Sequence, residues 1–138
     1  MATSTAALDT ADKLISVAKA LRDTANSMDA RRWQEFSTGK MTEEEFRSSV
    51  ARGSFLRRQI DEILVKAMKT VIDGVQEDQT ALEDAIQKAK KAIKSIADIK
   101  KALTVFATVV GLAEAIAVGS PQGIVEGLLG VKSAVSGS

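Results

Sequence analysis

Apolar residues recur along this chain in alternating steps of four and three. Ala7, Ala11, Leu14, Ala18, Leu21, Ala25 and Met28 form the first such stripe, with Asp9, Asp12, Lys13, Lys19, Arg22 and Asp23 lying off it. That spacing puts one apolar face on a helix and predicts a first helix over about residues 6–37, closed by Gly39. Thr42-Glu43-Glu44-Glu45 has the form of a capping box. Phe46, Val50, Gly53, Ile60, Leu64, Ala67 and Val71 continue from it as a second stripe, and Phe55 and Leu56 are expected to stand in where Arg57 falls on the seam. The second helix is predicted over 43–74.

Thr80-Ala81-Leu82-Glu83 reads as another capping box. Leu82, Ile86, Ala89, Ile93, Ile96, Leu103, Phe106, Val110 and Ile116 then carry a third stripe, predicting a helix over 81–118. Gly119-Ser120-Pro121 stops it, with Ser120 and Pro121 suited to the cap and first position of a fourth helix over 121–135. Gly123, Gly127 and Gly130 weaken that last helix. Gly53-Ser54 marks a kink or a close crossing in the second. The expected fold class is therefore all-α: a single domain over 1–138, built as an up-down antiparallel helical bundle of three long helices plus a short Gly-rich C-terminal helix. Short loops should make sequential helices neighbours.

Lengths sharpen this picture. At 1.5 Å per residue the first two helices span about 45 Å and the third about 57 Å. The third must outrun its neighbours or bend, with its C-terminal half expected beside the Gly39 turn. Trp33, Phe36, Phe46, Phe55 and Phe106 should gather at that end, where the uncharged tail is expected to pack.

Charge changes the reading at residue 101. Between Ile86 and Lys101 stand Lys88, Lys90, Lys91, Lys94, Lys100 and Lys101 against Asp98 alone; from Ala102 to Val131 the only charges are Glu114 and Glu126. So apolar a segment needs cover from the rest of the protein, a partner or a membrane. The candidate partner or membrane contacts are Lys90, Lys94, Lys100 and Lys101, followed by Val105, Val109, Leu112, Ile116, Ile124 and Leu128. Residues 102–118 are at the lower limit for crossing a bilayer and include Glu114, which argues against an independent transmembrane helix. Thr104, Thr108, Gly111 and Ala115 form a stripe of small residues, expected to pack within the bundle. Over about 35 residues, Ala102–Val118, the Gly119-Ser120-Pro121 turn and Gly123–Val135 are similar in layout to the hidden apolar hairpins of α-helical pore-forming toxins such as the colicin pore domains. The resemblance implies a membrane-inserting hairpin, and the short second arm with Glu126 and Lys132 departs from it.

The chain holds no Cys, His or Tyr. It thus lacks the side chains that most often ligate metals or exchange protons near neutral pH, and no phosphate-binding loop or calcium loop is legible. No enzymatic role, cofactor or metal is expected. A net charge of +1 gives no global pull toward nucleic acid. The basic group Arg31, Arg32, Lys40, Arg47, Arg52, Arg57 and Arg58 is expected to be solvated helix surface. The N-terminus has no Sec signal pattern, so a cytoplasmic protein or one exported by a specialised route is expected. The expected function is non-enzymatic protein–protein interaction or self-association, as in an effector, adaptor or toxin-associated component. The alternative is a membrane-active bundle using residues 102–135. Neither nucleic acid nor a small-molecule substrate is expected as a partner.

Overall fold

Local chemistry sets most helix ends in the computed structural model, which describes residues 5–137. Thr10 caps the first helix, α1 (Ala11–Ser37), through its hydroxyl, which accepts from Lys13 N–H. Gly39 (φ 77°) turns the chain after it. The capping box at Thr42 and Glu45 is formed in full and starts α2 (Glu43–Lys69). Asp78 caps α3 (Gln79–Ser95) and Asp98 caps α4 (Ile99–Val118). Left-handed Gly119 (φ 84°) ends α4, and Ser120 caps α5 (Pro121–Ser136), with Pro121 in its first turn. The described chain is all-helical, with these five helices packed against one another.

Several expectations need correction. The helix read over 81–118 is two helices, because the backbone leaves helical geometry at Ile96 (ψ 127°) and restarts from the Asp98 cap. The expected cap at Thr80 is replaced by Asp78, whose carboxylate accepts from Ala81 N–H at 2.8 Å; Glu83 accepts from Ser16 and Gln79 side chains. α1 begins at Ala11, not Ala6, and α2 ends at Lys69, not Gly74. Both ends yield to a small non-helical clasp: Ala7 N–H donates to Glu77 O, Gln79 N–H to Thr5 O, and Ile72 N–H to Leu8 O. Leu8 is fully buried in the clasp at φ 64°, and its N–H is held by Gln79 Oε1. Gly53-Ser54 does not break α2; buried Gly53 lets the Arg32 guanidinium lie across the helix, 3.1 Å from where a Cβ would sit.

The clasp also changes the neighbours. α1 packs on α2 and α3, α2 on α4, and α5 on α3 and α4, while α2 and α3 do not touch. The 70–78 link therefore carries the chain past α1 instead of forming a hairpin. Ser16 bonds Glu83 and Arg31 bonds the Ile93 carbonyl, so α1 and α3 lie side by side in the same direction. Lys100 acts on Glu45 and Lys66 reaches Gly119, so α2 and α4 do likewise. α4 therefore starts beside the Gly39 turn and ends at the opposite pole, the reverse of the expected placement of residues 102–118.

One continuous core joins all five helices. On α2 its inward positions are Ser49, Gly53, Leu56, Ile60 and Ile63: Gly53, Leu56 and Ile60 are as expected, while Ser49 and Ile63 take the places read for Val50, which is exposed, and Leu64, which is half-buried. Phe106 is the largest fully buried side chain.

Candidate interaction surfaces

The ten candidate contact residues divide cleanly by burial. Val105, Val109, Leu112, Ile116, Ile124 and Leu128 are core residues, each at most 1% exposed. In this conformation they are covered by the protein itself. Burying side chains of this size stabilises the fold by roughly 1.5–3 kcal/mol each. Lys94, Lys100 and Lys101 are exposed and Lys90 is half-buried, so the lysines alone present themselves at the surface.

The arginine group is not a single solvated patch. Arg31 and Arg32 are buried. Arg31 donates through Nε to Glu35 Oε1 (2.7 Å) and through its two Nη atoms to the carbonyls of Ile93 (2.9 Å), Ile96 (2.6 Å) and Ala97 (3.3 Å). It thereby satisfies one free carbonyl in the last turn of α3, that of Ile93, and those of Ile96 and Ala97 in the link that follows, and stabilises the break before α4. Arg32 bonds Ser49 Oγ (2.7 Å), the Ser49 carbonyl (3.1 Å) and Asp29 Oδ1 (2.6 Å), tying α1 to α2. Arg57 also pairs with Asp29, and Arg47 pairs with Glu43 along α2. Arg31, Arg32 and Arg57 hold helices together, whereas Arg47 pairs only within α2. Sequence reading missed this because the partners that join helices, the Ile93 carbonyl, Ser49 and, for Arg57, Asp29, lie far away in the chain.

Three of the aromatic residues do gather at the α1–α2 corner. The Phe36 and Phe46 rings lie 4.4 Å apart between centroids, and Trp33 lies 6.3 Å from Phe46. Trp33 is 64% exposed; Val50, one turn beyond Phe46, is 40% exposed. This is an apolar surface cluster built from two helices that Arg32 and Asp29 clamp in register. Phe55 sits apart under Arg58.

The outward face of α4 is the second uncovered surface. Only about half of this apolar helix is buried. Lys100, Thr104, Gly111, Glu114 and Val118 are exposed and Ala107 is half-buried. Thr104 and Gly111 therefore do not pack within the bundle as expected, and nothing lies within 4 Å of a Cβ added at Gly111. Thr108 and Ala115 are half-buried, and Ala115 does face Gly123 of α5.

A shallow hollow of about 250 Å³ lies between the starts of α2 and α4, lined by Thr42, Glu44, Glu45, Ser48, Arg52 and Leu103 among others. Its best-placed carboxylate is engaged: Glu45 accepts from Thr42 N–H at 2.9 Å. That backbone bond, then the Thr42 hydroxyl and more weakly Lys100, hold Glu45 below the usual Glu range. Ser49 beside it is committed to Arg32. Among the described residues no group of three or more acids could hold a metal ion. No protein-family model, curated protein or solved structure matches the chain.

Proposed function

We propose that this chain is a non-enzymatic helical bundle that acts by binding another protein, as an effector, adaptor or toxin-associated component would. The observation that carries the reading is Trp33, 64% exposed on a cluster with Phe36 and Phe46. A large aromatic costs solvation at the surface and strengthens an interface when buried there, and Trp is among the residues most enriched at binding hot spots. The cluster sits on two helices locked by buried hydrogen bonds, so it is presented rigidly and little ordering cost accompanies binding. The supply of side chains fits the same reading: with no His, Cys or Tyr, the chain is poor in acid–base and nucleophilic groups.

Trp33 is the chain's only tryptophan, so it reports on its own environment. A photo-crosslinking residue at position 33, used in the cells that make the protein, should capture one dominant protein. Phe46→Ala should reduce that capture, and Trp33 emission should shift to the blue when the captured protein is added to the native chain. Crosslinks no stronger than those from exposed Thr80 would refute the reading.

A second reading has its own support. α4 is 20 residues long with a mean hydropathy of 1.8 over its best window, long and apolar enough to cross a membrane, and Lys100 and Lys101 flank its start. On this reading the α4–α5 hairpin leaves the core and enters an anionic bilayer, the lysines adding about 1 kcal/mol each at the surface. Dye release from vesicles rich in phosphatidylglycerol, between acidic and neutral pH, tests it; intact vesicles and no co-sedimentation at low salt would exclude it.

A further inference from the structure

The outer face of α4 is matched to itself. Lys100, Thr104, Ala107, Gly111, Glu114 and Val118 follow one another in steps of four and three, so they form a single stripe along the helix. All are exposed except half-buried Ala107. Leu103 and Phe106 on one side of this stripe border the start of α2, Leu112 and Ala115 on the other meet Gly127 and Gly123 of α5, and among the described residues the stripe itself stays largely uncovered. Its two charges are opposite in sign and placed symmetrically: Lys100 lies seven residues before Ala107 and Glu114 seven residues after it. Seven residues are two helical turns, so both charges stay on the same side of the stripe.

We infer that a second copy of this chain docks on this face, with the two α4 helices antiparallel about a two-fold axis at Ala107. In that arrangement Lys100 of each copy meets Glu114 of the other, making two equivalent ion pairs. Thr104 of each copy meets Gly111 of the other, and Val118 extends over exposed Ala97. A two-fold interface requires this self-complementarity of one patch. A parallel pairing would instead set Lys100 against Lys100 and Glu114 against Glu114. The centre favours close approach: Gly111 leaves open space above it, and a glycine inside a helix weakens that helix unless something uses the room. Lys100 also feels Glu45 of its own chain, but that carboxylate is held by the Thr42 cap, which leaves the lysine head free to reach across. One pair of 20-residue helices is short of a standard interface, so the dimer is a reversible one in the micromolar range.

Sedimentation velocity on the full chain across the micromolar range tests the arrangement, with circular dichroism confirming that each variant stays folded. The native protein should show a monomer–dimer equilibrium that weakens with added salt. Lys100→Glu and Glu114→Lys should each weaken it by about tenfold or more, since each sets like charges face to face twice. The double variant Lys100→Glu/Glu114→Lys should return to within about threefold of the native chain. Lys100→Glu places an acid in the first turn of α4, which suits the helix dipole. Gly111→Leu should abolish dimerisation while leaving the monomer folded, because Gly111 is exposed and a Cβ there meets no neighbouring group within 4 Å. A native chain that is monomeric throughout, or charge reversals that do not compensate, would overturn the inference. So would a dimer lost on Trp33→Ala but indifferent to Lys100→Glu, which would move self-association to the aromatic corner and leave protein binding there intact.

Discussion

Arg31 shows how much a single side chain can decide in this fold. Its guanidinium is fixed by Glu35 on one side and spends its other donors on the Ile93 carbonyl of α3 and on the Ile96 and Ala97 carbonyls just after it. Glu35 Oε2 is buried with no hydrogen-bond partner, so Glu35 depends on Arg31 for its charge compensation. Replacing Arg31 by Met should therefore cost about 3–5 kcal/mol in urea unfolding. The double variant Arg31→Met/Glu35→Met should recover much of the loss, because the orphaned carboxylate is gone. A single variant within about 1 kcal/mol of the native chain would contradict this assignment. Glu45 offers a second test at this scale. Its folded pKa lies below the ordinary Glu value because Thr42 N–H, then the Thr42 hydroxyl, favour the carboxylate. A depressed folded pKa contributes stability above the unfolded value and loses it as pH falls through the folded one. Glu45→Gln should flatten that acid limb of the stability curve, read as the urea midpoint against pH from neutral to below the Glu range. An unchanged acid limb would count against the cap as its source. The Glu45 role was legible in the sequence as the end of the Thr42 capping box. The Arg31 role was not: Arg31 and Glu35 are four apart on a helix, as any surface pair would be, and the carbonyls that select them are brought in by α3 and the link after it, more than sixty residues away.

At the level of elements, the same substitution should have opposite signs one turn apart on α5. A Cβ at Gly127 would meet the Leu112 Cα at 3.0 Å, so Gly127→Ala must push α5 off α4. At Gly130 nothing lies within 4 Å, so Gly130→Ala only removes backbone freedom from the unfolded chain. Thermal melts should place Gly127→Ala below the native chain and Gly130→Ala above it by about 0.4–1 kcal/mol; melts that move the same way would show that α5 does not sit on α4 at this distance. Helix starts at Thr42 and Ser120 and stops at Gly39 and Gly119 were legible because each is a local bargain between a side chain and nearby backbone groups. The break at 96–98 was not. Ile96 and Leu103 are seven apart, so the apolar phase passes through the interruption unchanged, and Asp98 looks like one acid in a lysine-rich helix instead of a cap. The seam of α2 was misread at two positions for a related reason. Val50 and Leu64 keep the four-and-three spacing through Gly53 and Ile60 equally well, and only burial chooses Ser49 and Ile63 over them.

For the whole molecule, the apolar tail is where the two proposed functions part. α4 places nine residues in the core and α5 only Ile124, Leu128 and Val131. Three glycines also lower the intrinsic stability of α5. Burial of those three side chains contributes about 5–9 kcal/mol before ordering costs, and Val125, Ala134 and Val135 add only partial burial, so α5 should be the weakest cooperative unit. Native-state hydrogen exchange should show α5 amides opening well below the global unfolding free energy, with α4 amides near Val105, Val109 and Leu112 exchanging only through global unfolding. That order suits a protein that binds through fixed surfaces, since the face of α4 and the aromatic corner survive the opening of α5. A membrane-inserting hairpin needs different behaviour. α4 and α5 would have to leave together, because α4 leaving alone would strip Ile124, Leu128 and Val131 of the helix that α5 packs on and leave them in water. Matching exchange free energies for α4 and α5, both below the global value, would shift the balance toward insertion. An α5 that opens alone places the function on the surface of an intact core.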